Sequence, residues 1–100
     1  MKIKIGKTQY TVSRVPSLEP PIARGRVNYT ARTIQIAERS GRPLRKRSVP
    51  GMQHTLWHEL VHAMLKDMGS TKERDEIFVD ELAKRIVQVN KQVGPYIDRS

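Results

Sequence analysis

HTLWHELVHAML, residues 54–65, holds every histidine of the chain, at positions 54, 58 and 62. Residues four apart on an α-helix lie one turn above each other and project in nearly the same direction. His58 and His62 therefore present two imidazoles to one point, a spacing at which both can bind a single Zn²⁺ as neutral donors. Glu59 is rotated by about 100° from His58, which aims its carboxylate at the coordination position left open. A carboxylate there is placed to accept a proton from water. The competing reading is a core helix with two half-buried, hydrogen-bonded histidines and Glu59 facing solvent.

A hydrolytic zinc site needs a third protein ligand and one open position. The chain has no cysteine and no histidine after His62, so that ligand must be an acid. The candidates are Asp67, Glu73, Asp75, Glu76, Asp80, Glu81 and Asp98. Asp67 is too near along the same helix, and Asp98 lies in the tail. Glu76 and Asp80 stand one turn apart around Val79, at the start of an apolar seam of Val79, Leu82, Ile86, Val89 and Val93. Glu76 is thus expected on the metal and Asp80 on a histidine's other nitrogen, the partner that metal-binding imidazoles commonly need. A plain alternative is a charged first turn favoured by the helix dipole.

Outward from these helices the pattern changes. Residues 3–12 alternate around Gly-Lys-Thr and predict a hairpin, and residues 27–36 predict a second one. Residues 13–25 contain prolines at 16, 20 and 21 and read as a connection. Residues 39–51 read as a basic loop ended by Pro50-Gly51. Trp57, Val61, Met64 and Met68 form one apolar stripe of a helix over 51–68, stopped by Gly69. Ser70 and Glu73 suit a capping box opening a second helix over 71–93, which Gly94-Pro95 ends before the 94–100 tail. The expected fold is α+β: a short antiparallel or mixed sheet of three or four strands, built from 1–47, packed on two helices in one domain of 100 residues.

Nineteen Lys and Arg against ten Asp and Glu give a net charge of +9. From Arg24 to Arg47 eight bases accompany one acid, Glu38. Such a block suits nucleic acid or an acidic partner, or simply solvated loops. No apolar run approaches the roughly 20 residues that span a bilayer. The expectation is a cytoplasmic chain without a membrane segment, a monomer or weak homodimer.

HELVH (58–62) followed by EIFVD (76–80) resembles the gluzincin zinc metallopeptidases, whose pattern is HExxH on one helix and ExxxD on the next. TLWHELVH and EIFVDELA are also similar to the ImmA/IrrE-like branch, and the length resembles the minimal gluzincins. Val79 and Asp80 depart from that branch's usual Ala and Asn. The resemblance implies one zinc per chain held by His58, His62 and Glu76, with Glu59 as general base and Asp80 supporting a histidine. It implies hydrolysis of a protein or peptide lying along an edge strand, for which Arg32, Thr33, Ile34, Gln35 and Ile36 are the candidates. The oxyanion partner of large gluzincins has no counterpart; His54, Tyr29 and Tyr96 are the residues open to that role. Latent minimal forms suggest further that the tail, through Tyr96, Ile97 and Asp98, could cover the cleft. The alternative function is a nucleic-acid-associated protein acting through 24–47, with a structural or regulatory zinc.

Overall fold

The long helix that carries the histidines begins earlier than its periodicity suggests. In the computed structural model, which describes residues 1–98 with side chains to Pro95, α1 spans Val49–Asp67. Ser48 is its N-cap, accepting from the Gly51 amide at 3.1 Å. Pro50 and Gly51 therefore open the helix instead of closing the loop: proline in the first turn loses an N–H that has no helical partner anyway. At the other end Met68 is the C-cap and Gly69 takes φ +67°, the expected stop.

Ahead of α1 run β1 (Lys2–Ile5), β2 (Thr8–Val15), β3 (Gly25–Asn28) and β4 (Thr33–Ala37). Both predicted hairpins form: β1 pairs antiparallel with β2, and β3 with β4. Gly6, at φ +58°, makes the first turn, and its left-handed backbone suits glycine. In the second turn Asn28 Oδ1 accepts from the Ala31 amide at 2.9 Å. A parallel pairing of β2 with β4 joins the hairpins into one mixed sheet of order β1-β2-β4-β3. The α+β expectation holds, with four strands in the main sheet. The basic loop adds a two-stranded hairpin, β5 (Arg39–Ser40) with β6 (Arg45–Lys46).

α1 lies between two partners. Leu60 and Ala63 pack on Tyr10, Val12, Ile34 and Ile36 of the sheet. Val61 and Leu65 pack on Val79 and Ala83 of α2, which spans Glu76–Asp98. Leu60 and Val61 are adjacent in sequence, so their faces differ by about 100° and one stripe cannot describe the buried surface. Met68, assigned to that stripe, is 75% exposed.

Two further expectations fail here. Ser70 caps only a 3₁₀ turn, Thr71–Arg74, through the Lys72 amide at 3.1 Å. Asp75 then starts α2, its Oδ1 accepting from the Phe78 amide at 3.0 Å. Nor does α2 stop at Gly94-Pro95. Gly94 is absent from the positive-φ residues, and Pro95 sits in the last turn, where its missing N–H costs one bond. The chain makes no reversal there, and Asp98 lies about 33 Å along the helix axis from Glu76. The side chains of Tyr96, Ile97 and Asp98, on which self-occlusion rests, lie outside the described residues, as do 99 and 100. Among the described residues no helix is long and apolar enough to cross a membrane.

Candidate metal centre

α1 and the start of α2 meet at a cavity of about 370 Å³ lined by Arg24, Gly25, His54, Thr55, His58, Glu59, His62, Glu76 and Asp80. Val79 is fully buried between the two helices. Docking it there turns Glu76 and Asp80, which flank it one turn apart, toward the histidine row.

The contacts interlock. His58 Nε2 lies 3.0 Å from Glu76 Oε2, and His62 Nε2 lies 3.0 Å from Glu76 Oε1. The two rings are 5.0 Å apart at 61°. Each ring's other nitrogen also meets an acceptor. His62 Nδ1 donates to the Glu73 backbone carbonyl at 2.7 Å, and His58 Nδ1 is 3.4 Å from Asp80 Oδ1. The same Asp80 oxygen accepts from His54 Nε2 at 3.0 Å, while Lys84 Nζ is 3.0 Å from Oδ2. The His54 hydrogen bond first, then Lys84, holds the Asp80 carboxyl down to about 2.

A carbonyl oxygen only accepts, so the proton of neutral His62 sits on Nδ1. Its Nε2 then offers a lone pair to a carboxylate oxygen 3.0 Å away. Two acceptors at that distance repel unless a positive charge lies between them. His58 Nε2 lies at the same distance from the other Glu76 oxygen and can donate to it in one tautomer. One positive charge at this point satisfies the His62 nitrogen and the carboxylate together, and a metal ion there is also within reach of His58. His58, Glu59 and His62 have donor atoms within 4.8 Å of one another, as do His54, His58 and Asp80. The cluster can hold a metal ion.

Glu59 stands beside it, only 7% exposed. Burial pushes its carboxyl pKa up, against a downward pull from His62 and His58 and with a further push from Glu76. Gly25 lets the sheet approach this carboxylate: a Cβ there would stand 2.6 Å from Thr55 Cγ2 and 3.2 Å from Glu59 Cγ. Any side chain at 25 would push the strand off α1.

The other expected positions are redistributed. Residues 32–36 do not form an edge, because β4 is hydrogen-bonded on both sides, to β2 and β3. Ile34 and Ile36 are core residues. The edge beside the cavity is β3. Ala37 N donates to Arg24 O at 2.9 Å, so ladder alternation turns the backbone groups of Gly25 and Val27 outward. Tyr29 does not line the cavity; its hydroxyl donates to Glu73 Oε1 at 2.6 Å, and burial with that carboxylate pushes its pKa up. His54 does line the cavity, engaged by Asp80. Tyr96 lies outside the described side chains.

Sequence reasoning offered Glu73 only as one of seven candidate ligands and as a capping residue, and missed its contacts with His62 and Tyr29. The 3₁₀ turn puts its carbonyl on His62 and its carboxylate between His62 and Tyr29. No periodic signal marks it. Gly25 reads along the chain as the end of the 13–25 connection; the structure makes it the first residue of β3, where a glycine permits the close backbone approach.

No protein-family model, curated protein or solved structure matches the chain.

Proposed function

We propose that the chain is a zinc-dependent peptide hydrolase of the gluzincin kind, with His58, His62 and Glu76 holding the metal. The observation that carries this is the convergence of His58 Nε2 and His62 Nε2 on the two oxygens of Glu76, each at 3.0 Å, with His62 Nδ1 already committed to the Glu73 carbonyl. The donor set is two nitrogens and a carboxylate, a catalytic rather than closed structural set. His58, His62 and Glu76 are the residues that would hold the ion, since each Nε2 lies 3.0 Å from a Glu76 oxygen. When bound, zinc supplies Lewis acidity, polarising a scissile carbonyl and bringing the acidity of water close to neutral pH.

The remaining work falls to the chain. Glu73 O and Asp80 hold the outer nitrogens of His62 and His58, fixing ring orientation and tautomer. Glu59 takes the proton of the attacking water and hands it to the leaving amine; its raised pKa makes it a stronger base for the first transfer than an exposed carboxylate. The outward backbone groups of Gly25 and Val27 give an extended substrate a strand to pair with, next to Glu59 and largely independent of side-chain sequence. Arg24 lines the same end of the cavity and favours acidic or C-terminal groups there.

The test is metal content by mass spectrometry alongside cleavage of an unfolded protein such as casein. The wild-type protein is expected to carry one zinc and to hydrolyse the substrate. Glu59→Gln should retain the zinc and lose about 10²–10⁴-fold in rate. Zinc-free protein after purification and zinc titration, or full activity in Glu59→Gln, would refute the assignment.

A further inference from the structure

A second charged centre lies at the start of α1 and is not used by the cleft. In the β5–β6 hairpin Arg39 stands directly opposite Lys46, and Ser40 opposite Arg45. Cross-strand partners share a face, and like charges so placed destabilise the ladder. Arg39 and Lys46, with Arg14 and Arg47, line a recess of about 210 Å³ whose one acid is Glu38. Glu38 is 3.1 Å from Arg14.

Among the described residues no ion pair neutralises the rest. No acid occurs between Glu38 and Glu59, and the first turn of α1 carries none, so the positive end of the helix dipole adds to the same field. Arg39, Arg42, Arg45 and Lys46 are all exposed. Arg47 differs from them. Its Nη1 donates to Arg24 O and Ala37 O at 3.0 Å, and its Nη2 donates to Gly51 O at 3.1 Å and to Thr55 Oγ1. It is a fixed wall of the recess, not a free phosphate ligand.

We propose that this hairpin and its recess bind the phosphodiester backbone of a nucleic acid. Four exposed cations along one hairpin fit a polymer of repeated single charges better than one isolated anion. The β5–β6 hairpin, residues 39–46, contains no aromatic residue, so no base is stacked there and recognition is through phosphates, independent of sequence. The site is separate from the metal centre and stands whether or not the chain hydrolyses peptides.

The experiment measures fluorescence anisotropy of the full-length protein with three labelled probes: a short DNA duplex, its single strand, and polyglutamate of equal charge. Salt runs from about 50 mM to about 200 mM. The duplex or single strand should bind with log K falling linearly in log salt, and polyglutamate should bind more weakly. Arg39→Ala/Lys46→Ala should lower the slope by about 1.8 for the duplex, or about 1.4 for the single strand, since each phosphate contact contributes about 0.9 or 0.7. Arg42→Ala/Arg45→Ala, whose side chains are exposed, gives the same reading independently should the first pair impair folding. Lys91→Ala, on α2, should leave the slope unchanged. The proposal is overturned if neither nucleic acid binds at about 50 mM salt, if polyglutamate binds as tightly, or if both double variants keep the wild-type slope.

Discussion

Two polar centres sit on α1, one turn apart at their nearest, and they obey opposite rules. Around Arg47 every donor named meets an acceptor: three backbone carbonyls, from Arg24, Ala37 and Gly51, and the hydroxyl of Thr55. That centre is complete within the protein and ties β3, β4 and α1 together. Around Glu76 the logic does not close, because the His62 Nε2 lone pair faces one carboxylate oxygen while His58 Nε2 converges on the other. A closed polar cluster holds the fold; an unclosed one invites a cation. Thr55, buried between Arg47 and the cavity, belongs to both and couples the clamp to the cleft wall.

The contrast predicts opposite responses to substitution. The largest effect falls on the unclosed centre. Glu76→Ala should weaken zinc binding by more than about 100-fold, beyond what an outer-shell change costs, while the metal-free protein keeps its melting temperature, since this side chain is 68% exposed. Competition with a chromophoric chelator measures the first and calorimetry the second. Arg47→Ala should do the reverse. Leaving three carbonyls and the buried Thr55 without their charged donor costs about 3 kcal/mol of folding stability by urea titration. Arg47→Lys should restore only part of this, because one ammonium cannot span the fork. Equal losses of zinc affinity in the Glu76 and Arg47 variants, at temperatures where both are folded, would erase the distinction.

Smaller changes sharpen it. Asp80→Ala should lower zinc affinity by about 10–100-fold, since His58 and His54 lose a shared acceptor. The smallest expected effect is a gain. Burial raises the Glu59 pKa above its ordinary 4.5, so the folded state binds that proton more tightly than the unfolded state. The ionised side chain therefore subtracts from stability as pH rises through the window from 4.5 up to the raised value, and by a constant amount above it. Metal-free Glu59→Gln should accordingly be more stable than wild type at neutral pH, with the difference vanishing below pH 4.5. A variant less stable than wild type at neutral pH would mean that the Glu59 charge is compensated within the protein.

The same division separates what could be read along the chain from what could not. The row of His54, His58 and His62, the pair Glu76 and Asp80, and the turns at Gly6 and Gly69 follow from spacing and backbone preference within a few residues. Boundaries were less legible. Pro50-Gly51 reads as the end of a loop, yet proline is equally at home in a first helical turn; Gly94-Pro95 reads as a stop, yet near a helix end proline costs a single bond. Met68 continues a stripe that the fold does not use, because α1 is clasped by two partners and buries adjacent faces.

Long-range pairing was not legible at all. That Arg32–Ile36 lies mostly in a central strand, leaving Gly25 and Val27 at the edge, depends on the parallel pairing of β2 with β4 across nearly twenty intervening residues. Glu73 and Arg47 take their roles from carbonyls and rings brought to them by that packing, and neither stands in a periodic pattern. The sequence by itself determined the helices, the hairpins and which residues have metal-binding chemistry, because those depend on side-chain type and on angles between near neighbours. Only the tertiary structure decided which strand borders the cleft, how Glu73 joins His62 to Tyr29 and which carbonyls hold Arg47, because those depend on which distant segments exclude water from one another.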